Sequence, residues 1–334
     1  MRSVVDRARA ALLEHLAHLH DAWAPDELVL VGEGLECLVF RGDSPALGDV
    51  AIKVPRCAVF ENDNDASVSA GALLRQEAEY ARHLCEHDLA APAVLALEVD
   101  TAYGDELPGY LVQRYVEHDG SEPEPGELGR LIAAIHRLPL PPSVPLAQGA
   151  ESIERVIAER LTRRADVVER IVGTPVPLPD QALLEAALRA AARPRRLLHM
   201  DARAANLLTR GGVIHAIVDW SNALVGDPYL ELARIAEYGL DSAEFRAAYE
   251  GPVPAASADL GGEGRLLHNP PVAPPSPVVE LIYRLDTAVM LAVVFFSEAP
   301  DPVRGARQME RVQTLSRELE QHWPGETRAM GREP

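Results

Sequence analysis

Apolar residues recur at helical spacing along residues 6–20, so the chain opens on an amphipathic helix. From residue 27 to residue 54 the pattern changes to short β-branched and apolar runs broken by Gly and Asp, which predicts consecutive strands of an antiparallel sheet. A polar loop over 61–71 leads to a helix over 72–84, and strand patterns return at 94–99 and 110–117. The segment H-D-G-S-E-P-E-P-G, residues 118–126, has no apolar side chain and reads as a linker, which divides the chain into residues 1–117 and 118–334. Beyond it the spacing predicts helices over 127–137, 152–171, 180–192, 230–238, 242–249 and 278–296, with Pro-rich joints at 139–145 and 270–277 and a frayed tail over the last ten residues. The fold class is therefore α+β, with a small sheet first and a larger helical part after it.

Composition sharpens this picture. The chain has 334 residues, 47% of them apolar, enough for a packed core. Its formal charge of −19 repels a phosphate backbone at long range and excludes nucleic acid as a partner. The longest apolar run, 287–297, lies between Asp286 and Glu298 and is about half the roughly 20 residues that cross a bilayer. It reads as a buried helix, and no membrane partner is expected. The first twenty residues carry charge among their apolar positions and lack the core of a secretory signal, so a cytoplasmic protein is expected. Cys37, Cys57 and Cys85 offer neither an even set nor metal-ligand spacing and read as free thiols. Lys53 is the single lysine, with arginine at every other basic position. Such a survivor points to a site that needs a compact ammonium where a forked guanidinium fails.

The densest chemistry lies in L-L-H-M-D-A-R-A-A-N-L-L, residues 197–208, where His199, Asp201, Arg203 and Asn206 are bracketed by leucine pairs. I-V-D-W at 217–220 closes an apolar strand on Asp219. Paired as a hairpin, the two segments bring Asp201, Asn206 and Asp219 to one rim, three oxygen ligands suited to a hard cation such as Mg²⁺.

At these residues the sequence resembles the aminoglycoside phosphotransferase and choline kinase family, distant relatives of the protein kinases. The pattern H-x-D-x-x-x-x-N is met by His199, Asp201 and Asn206, and Asp219 stands where kinases place a metal-binding aspartate. A-I-K at 51–53 matches the strand lysine, and Glu77 matches its helix partner, with Glu79 as a competitor. L-I-A-A-I-H (131–136) and G-D-P-Y-L-E-L-A (226–233) also resemble family strings. The likeness runs from about residue 28 to residue 240 and implies a bilobal protein-kinase-like fold.

The resemblance further implies transfer of the γ-phosphoryl of ATP or GTP to a hydroxyl of a small molecule. Asp201 would accept the hydroxyl proton, and Arg203 would set a cation between base and γ-phosphate. Asn206 and Asp219 would hold Mg²⁺, and Lys53, fixed by Glu77, would pair the α- and β-phosphates. Gly32 and Gly34 would cover the phosphates, although Cys37 stands where a third glycine is usual. Backbone groups near Tyr115 and Val116 would meet the base. His199 is expected to brace the loop, and Asp227 to cap a helix.

W-S-N after Asp219, and no A-P-E string beyond it, argue against a protein substrate. Between residues 86 and 127 eleven acidic side chains face one arginine, a pattern that would attract a cationic antibiotic or form an ordinary solvated face. The apolar helix over 278–296 suits an uncharged acceptor such as a nucleoside or macrolide. An antibiotic-inactivating phosphotransferase is the first reading. A metabolic kinase for choline, homoserine or a sugar is the second, and a nucleotide-binding pseudokinase or a metal-dependent hydrolase the third.

Overall fold

The early strands form one antiparallel sheet in a computed structural model that describes residues 4–19, 25, 27–64, 67–99, 107–252 and 274–323. After α1 (Val4–Leu19) come β1 (Val29–Glu33), β2 (Cys37–Ser44), β3 (Gly48–Pro55) and the short pair β4 (Val59–Phe60) and β5 (Val68–Ser69). Helix α2 (Ala70–Glu86), β6 (Val94–Glu98) and β7 (Tyr110–Arg114) follow, and the five-stranded order is β1-β2-β3-β7-β6. Alternation along β3 buries Val50, Ile52 and Val54 on one face, where Phe40 and Val112 meet Leu12 and Leu16 of α1. Lys53 therefore projects from the other face, beside Leu111, its register partner on β7. Leu111 packs there with Leu74 and Ala78 of α2.

The helical part runs through α3 (Pro125–Ile135), α4 (Ile153–Val172), α5 (Gln181–Ala190), β8 (Arg196–Leu198), β9 (Leu207–Arg210), β10 (Val213–Ile217) and β11 (Leu224–Gly226). It continues through α6 (Pro228–Glu237), α7 (Ala243–Glu250), α8 (Pro277–Val293), a π-helical turn (Val294–Glu298) and α9 (Pro302–His322). One core joins α4, α5, α6, α8 and α9 around Leu161, Leu230, Leu285 and Leu315. A second joins α3 and α7 to Trp220 and to Tyr80 and Leu84 of α2. Gly129 is required where α3 meets α7, because a Cβ there would stand 2.4 Å from the Phe245 carbonyl oxygen.

Several expectations change. The helix expected over 278–296 ends as an α-helix at Val293 and turns into the π-helical segment. Helix α9 was not expected: its buried positions Met309, Val312, Leu315 and Leu319 form a narrow stripe on an otherwise charged surface. The loop expected over 61–71 carries strand β5 and the first two residues of α2. The linker is pinned, since the backbone N–H of Asp119 donates to Thr209 O at 2.9 Å and that of Glu124 to Gly212 O at 2.9 Å. Hydrogen bonds from Ser121 and the Gly211 amide hold the Asp119 carboxyl down to about 2. The expected tail, and residues 270–273 of the second Pro-rich joint, lie outside the described residues. No helix among the described residues is long and apolar enough to cross a membrane.

Candidate active site

The hairpin expected from the sequence exists in a different register. Leu197 and Leu198 leave it, because β8 pairs with β11, and β9 pairs instead with β10 so that Leu207 faces Ile217. Asn206 precedes one strand, Asp219 follows the other, and the Val218 N–H donates to Asn206 O at 3.0 Å. The two side chains thus share the open end of one hairpin.

Asp201 sits in the loop between β8 and β9, 8% exposed. Its Oδ1 accepts from Arg203 Nε at 3.0 Å and from the Tyr238 hydroxyl at 2.8 Å, and its Oδ2 accepts from Asn206 Nδ2 at 2.7 Å. That donor set makes Asp201 an oriented carboxylate. Burial first, and then the Asp201 charge, push the Tyr238 hydroxyl above its ordinary range, so it stays a donor. Asn206 Nδ2 also donates to Asp201 O at 2.9 Å, which turns its amide nitrogen inward and leaves Oδ1 as the free corner.

His199 braces the loop as expected. Its Nε2 donates to Val218 O at 3.1 Å and its Nδ1 accepts the Asp201 N–H at 3.2 Å, so both ring nitrogens are spent on the backbone. Asp227 caps α6 by accepting the Tyr229 N–H at 2.9 Å.

Across the cleft Lys53 is ion-paired with Glu77, and its Nζ lies 3.5 Å from Asp219 Oδ1. Glu77 Oε1 also accepts the Asp219 N–H at 3.4 Å, so one carboxylate ties the lysine to the aspartate. Glu79 faces away and accepts the Ser143 N–H at 3.2 Å, which removes it as the lysine's partner. Burial opposes the charge on Lys53, but Asp219 and Glu77 outweigh it and hold the ammonium above its ordinary range. For Asp219 burial pulls the carboxyl up and Lys53 pulls it further down, so it stays below its ordinary range. Asp219 has a φ of 67° and Met200 a φ of 66°, two non-glycine residues held in the left-handed region on either side of the site.

The glycine turn departs from a free phosphate cradle. The Gly34 N–H is spent on Cys37 O at 2.9 Å, and Arg56 Nε donates to Gly34 O at 3.0 Å. Gly32 faces Val39, whose side chain a Cβ would meet at 3.2 Å. Burial pushes the Cys37 thiol up to about 12, which keeps it protonated. Tyr115 and Val116 line the cleft, but the Tyr115 N–H already donates to Asp49 O at 3.0 Å, and Arg41 lies 4.0 Å over its ring.

Lys53, Glu77, Asp201, Arg203, Asn206, Asp219 and Tyr238 open onto one cleft of about 1850 Å³, bounded on its far side by Met290, Leu291, Val294, Phe295, Arg304 and Arg307. That is more than the roughly 300–1,000 Å³ usual for a pocket that takes one small ligand. None of the described acids between residues 86 and 127 lines the cleft, which leaves them a solvated face; Asp100, Asp105 and Glu106 lie outside the described residues. Tyr238, Glu231, Arg234 and Asp286 escaped the sequence reading. Glu231 had stood only inside the string 226–233, and Asp286 carried a signal of its own, an acid inside an apolar helix.

The family model described as the phosphotransferase enzyme family matches residues 59–259. The chain belongs to the phosphotransferase enzyme family. It is a kinase with a hydroxyl group as acceptor, and the matched residues include Glu77, Asp201, Asn206 and Asp219 but not Lys53. The structure resembles that of the aminoglycoside phosphotransferase APH(4)-Ia with a TM-score of 0.59 and 20% identity over 92% of this chain and 98% of that one. A choline/ethanolamine kinase family protein from Mesorhizobium loti gives 0.56 and 22% over 95% and 98%. A mutant of APH(4)-Ia in ternary complex with AMP-PNP and hygromycin B gives 0.57 and 19% over 92% and 98%. These likenesses give the bilobal kinase-like fold of the family. No curated protein matches the chain.

Proposed function

We propose that the chain moves the γ-phosphoryl of ATP or GTP to a hydroxyl of a small antibiotic, with the nucleotide held between residues 1–117 and 118–334. The observation that carries this reading is the meeting of Lys53, Glu77 and Asp219 with Asp201, Arg203 and Asn206 on one cleft. Asp201 accepts the acceptor's proton, because its oxygens are aimed by three donors and its shape is fixed before substrate arrives. Lys53, locked by Glu77, takes the α- and β-phosphates.

The donor set suits Mg²⁺: Asp219 and the free Oδ1 of Asn206 are hard oxygens, and the described residues hold no cluster of three His, Cys, Asp or Glu that would make an all-protein cage. Bound there with the nucleotide's phosphates, Mg²⁺ would neutralise developing charge. Dependence on a nucleoside triphosphate accords with a cytoplasmic reaction.

The far wall bears on the acceptor. Glu237 is taken by Arg284 at 2.6 Å and Arg311 at 2.7 Å, and Glu298 accepts the Asn64 N–H at 3.1 Å. Arg304 lies 4.3 Å over the Phe295 ring, and neither it nor Arg307 forms an ion pair among the described residues. An apolar surface edged by the Arg304 and Arg307 guanidiniums, with Glu61, Asp63 and Glu298 on the same cleft, is mixed in charge and offers its contact area mainly through carbon, which favours an uncharged hydroxylated antibiotic of the macrolide or nucleoside kind. Incubation with Mg²⁺, ATP or GTP and a panel of macrolides, nucleosides, aminoglycosides, choline, homoserine and sugars tests this by the mass of one added phosphoryl group. The expected product is a phosphorylated macrolide or nucleoside. A phosphorylated choline, homoserine or sugar alone would make this a metabolic kinase, and nucleotide binding with no product a pseudokinase.

Arg203 donates only Nε to Asp201, which leaves both terminal nitrogens for phosphoryl oxygens. Arg203→Ala is expected to lower kcat by about 10²-fold with little change in nucleotide affinity, since the charge it meets develops in the transition state. Steady-state kinetics check this, and an unchanged kcat would leave Arg203 a surface residue.

A further inference from the structure

Met200 is gripped through both of the peptides that flank it. The Met200 N–H donates to Glu231 Oε1 at 2.7 Å, the Met200 carbonyl accepts from Arg234 Nη1 at 2.5 Å, and the Asp201 N–H donates to His199 Nδ1 at 3.2 Å. Glu231 and Arg234 are three residues apart on α6, so one helical turn holds both sides of Met200. That grip is needed because a methionine at φ 66° is in a conformation that L side chains leave when released. Both clamp residues are buried, Glu231 to 1% and Arg234 to 2% exposure.

Arg234 is itself set from a third element. Its Nη2 lies 3.4 Å from Asp286 Oδ2 and its Nε 3.4 Å from Thr287 Oγ1, both on α8. Asp286 is fully buried and also receives Arg160 Nε at 2.6 Å and Arg164 Nη1 at 3.3 Å. One turn further along α8, Met290 lines the cleft. The helix that forms the far wall is therefore tied through Asp286 and Arg234 to the peptide that carries Asp201.

We propose that Arg234, set by Asp286, is a positioning residue for phosphoryl transfer. By holding the Met200 carbonyl it fixes the plane of the Met200–Asp201 peptide and with it the direction of the Asp201 carboxylate. Without it Met200 relaxes to negative φ and Asp201 swings from its place. The inference rests on the reading of Asp201 as the base.

The test uses Arg234→Met, alone and with Met200→Gly, and reads kcat for phosphoryl transfer from Mg-ATP (to the acceptor found by the panel, or to water), the affinity for AMP-PNP, and Tm. A misplaced base costs about 10²-fold in kcat while AMP-PNP affinity stays within about twofold. Met200→Gly in that background recovers about tenfold, because glycine takes positive φ without strain. A merely structural Arg234 predicts the opposite: Tm falls, kcat of the folded fraction does not, and the added glycine lowers Tm further with no gain in rate. If Arg234→Met does not fold, Arg234→Lys keeps a charged donor in the site; its kcat falls about tenfold and Met200→Gly restores it. An unchanged kcat, or a loss that Met200→Gly leaves uncorrected, overturns the proposal. Active Asp201→Asn would instead remove the base assignment itself, whereas normal Arg234 variants beside an inactive Asp201→Asn remove only this inference.

Discussion

Asp201→Asn is expected to lower kcat by about 10³-fold while affinity for Mg-nucleotide stays within about twofold. The substitution preserves shape and leaves one oxygen able to accept a hydrogen bond. It removes the charge that Arg203 meets at 3.0 Å and the basicity needed to take a hydroxyl proton. The Tyr238 hydroxyl, held as a donor, cannot replace it as a base. Because Asp201 is placed by the loop and takes no part in the Lys53 cluster, binding and chemistry separate in this variant. Rapid-quench kinetics beside equilibrium titration of AMP-PNP distinguish the two, and a parallel loss of affinity would show that Asp201 serves the nucleotide.

The second large effect is at the single lysine. Lys53→Arg is expected to cost nearly as much as Lys53→Met, about 10²–10³-fold in kcat/KM, on the scale of one lost electrostatic stabiliser of phosphoryl transfer. Nζ lies between Glu77 and Asp219, with side chains of 5% and 39% exposure, and it serves both as a point charge. A guanidinium is planar and longer by its fork, so it satisfies Glu77 only by displacing Asp219. The pH behaviour follows from the same cluster. Lys53 is held above its ordinary value, so the stability it contributes is complete at lower pH and lost only as pH rises through that elevated range. Asp219 is held below its ordinary value, so its contribution is present at higher pH and lost only as pH falls through that depressed range. Between these limits the cluster keeps its charges. A Lys53→Arg enzyme with near wild-type kcat/KM would show that lysine survives there by chance.

Much of this site was legible because its residues are local to one another. His199, Asp201 and Asn206 lie within one short loop, and the apolar strands around Asn206 and Asp219 announce a hairpin before its register is known. Lys53 stood out as the single lysine, but its pairing with Glu77 was legible only through the resemblance to the family, because the periods of β3 and α2 do not say which strand and helix residues face each other. The register was less legible: Leu197 and Leu198 look as ready to pair as Leu207 and Leu208, and only the late strand β11 decides that they pair elsewhere. Tyr238, Glu231 and Arg234 were not legible as site residues. Their partners Asp201, Met200 and Asp286 are far along the chain, and a contact between distant positions leaves no periodicity in either segment. Helix α9 was missed because its apolar stripe is thin, yet its Arg311 fixes Glu237, the neighbour of Tyr238.

The most direct measurement is mass spectrometry of one acceptor incubated with Mg²⁺ and ATP or GTP beside wild-type protein or Asp201→Asn, with AMP-PNP binding confirmed for both. The wild type should add one phosphoryl group to the small molecule, and the variant should leave it unmodified despite equal nucleotide binding. Phosphorylated acceptor from Asp201→Asn at the wild-type rate would contradict the account.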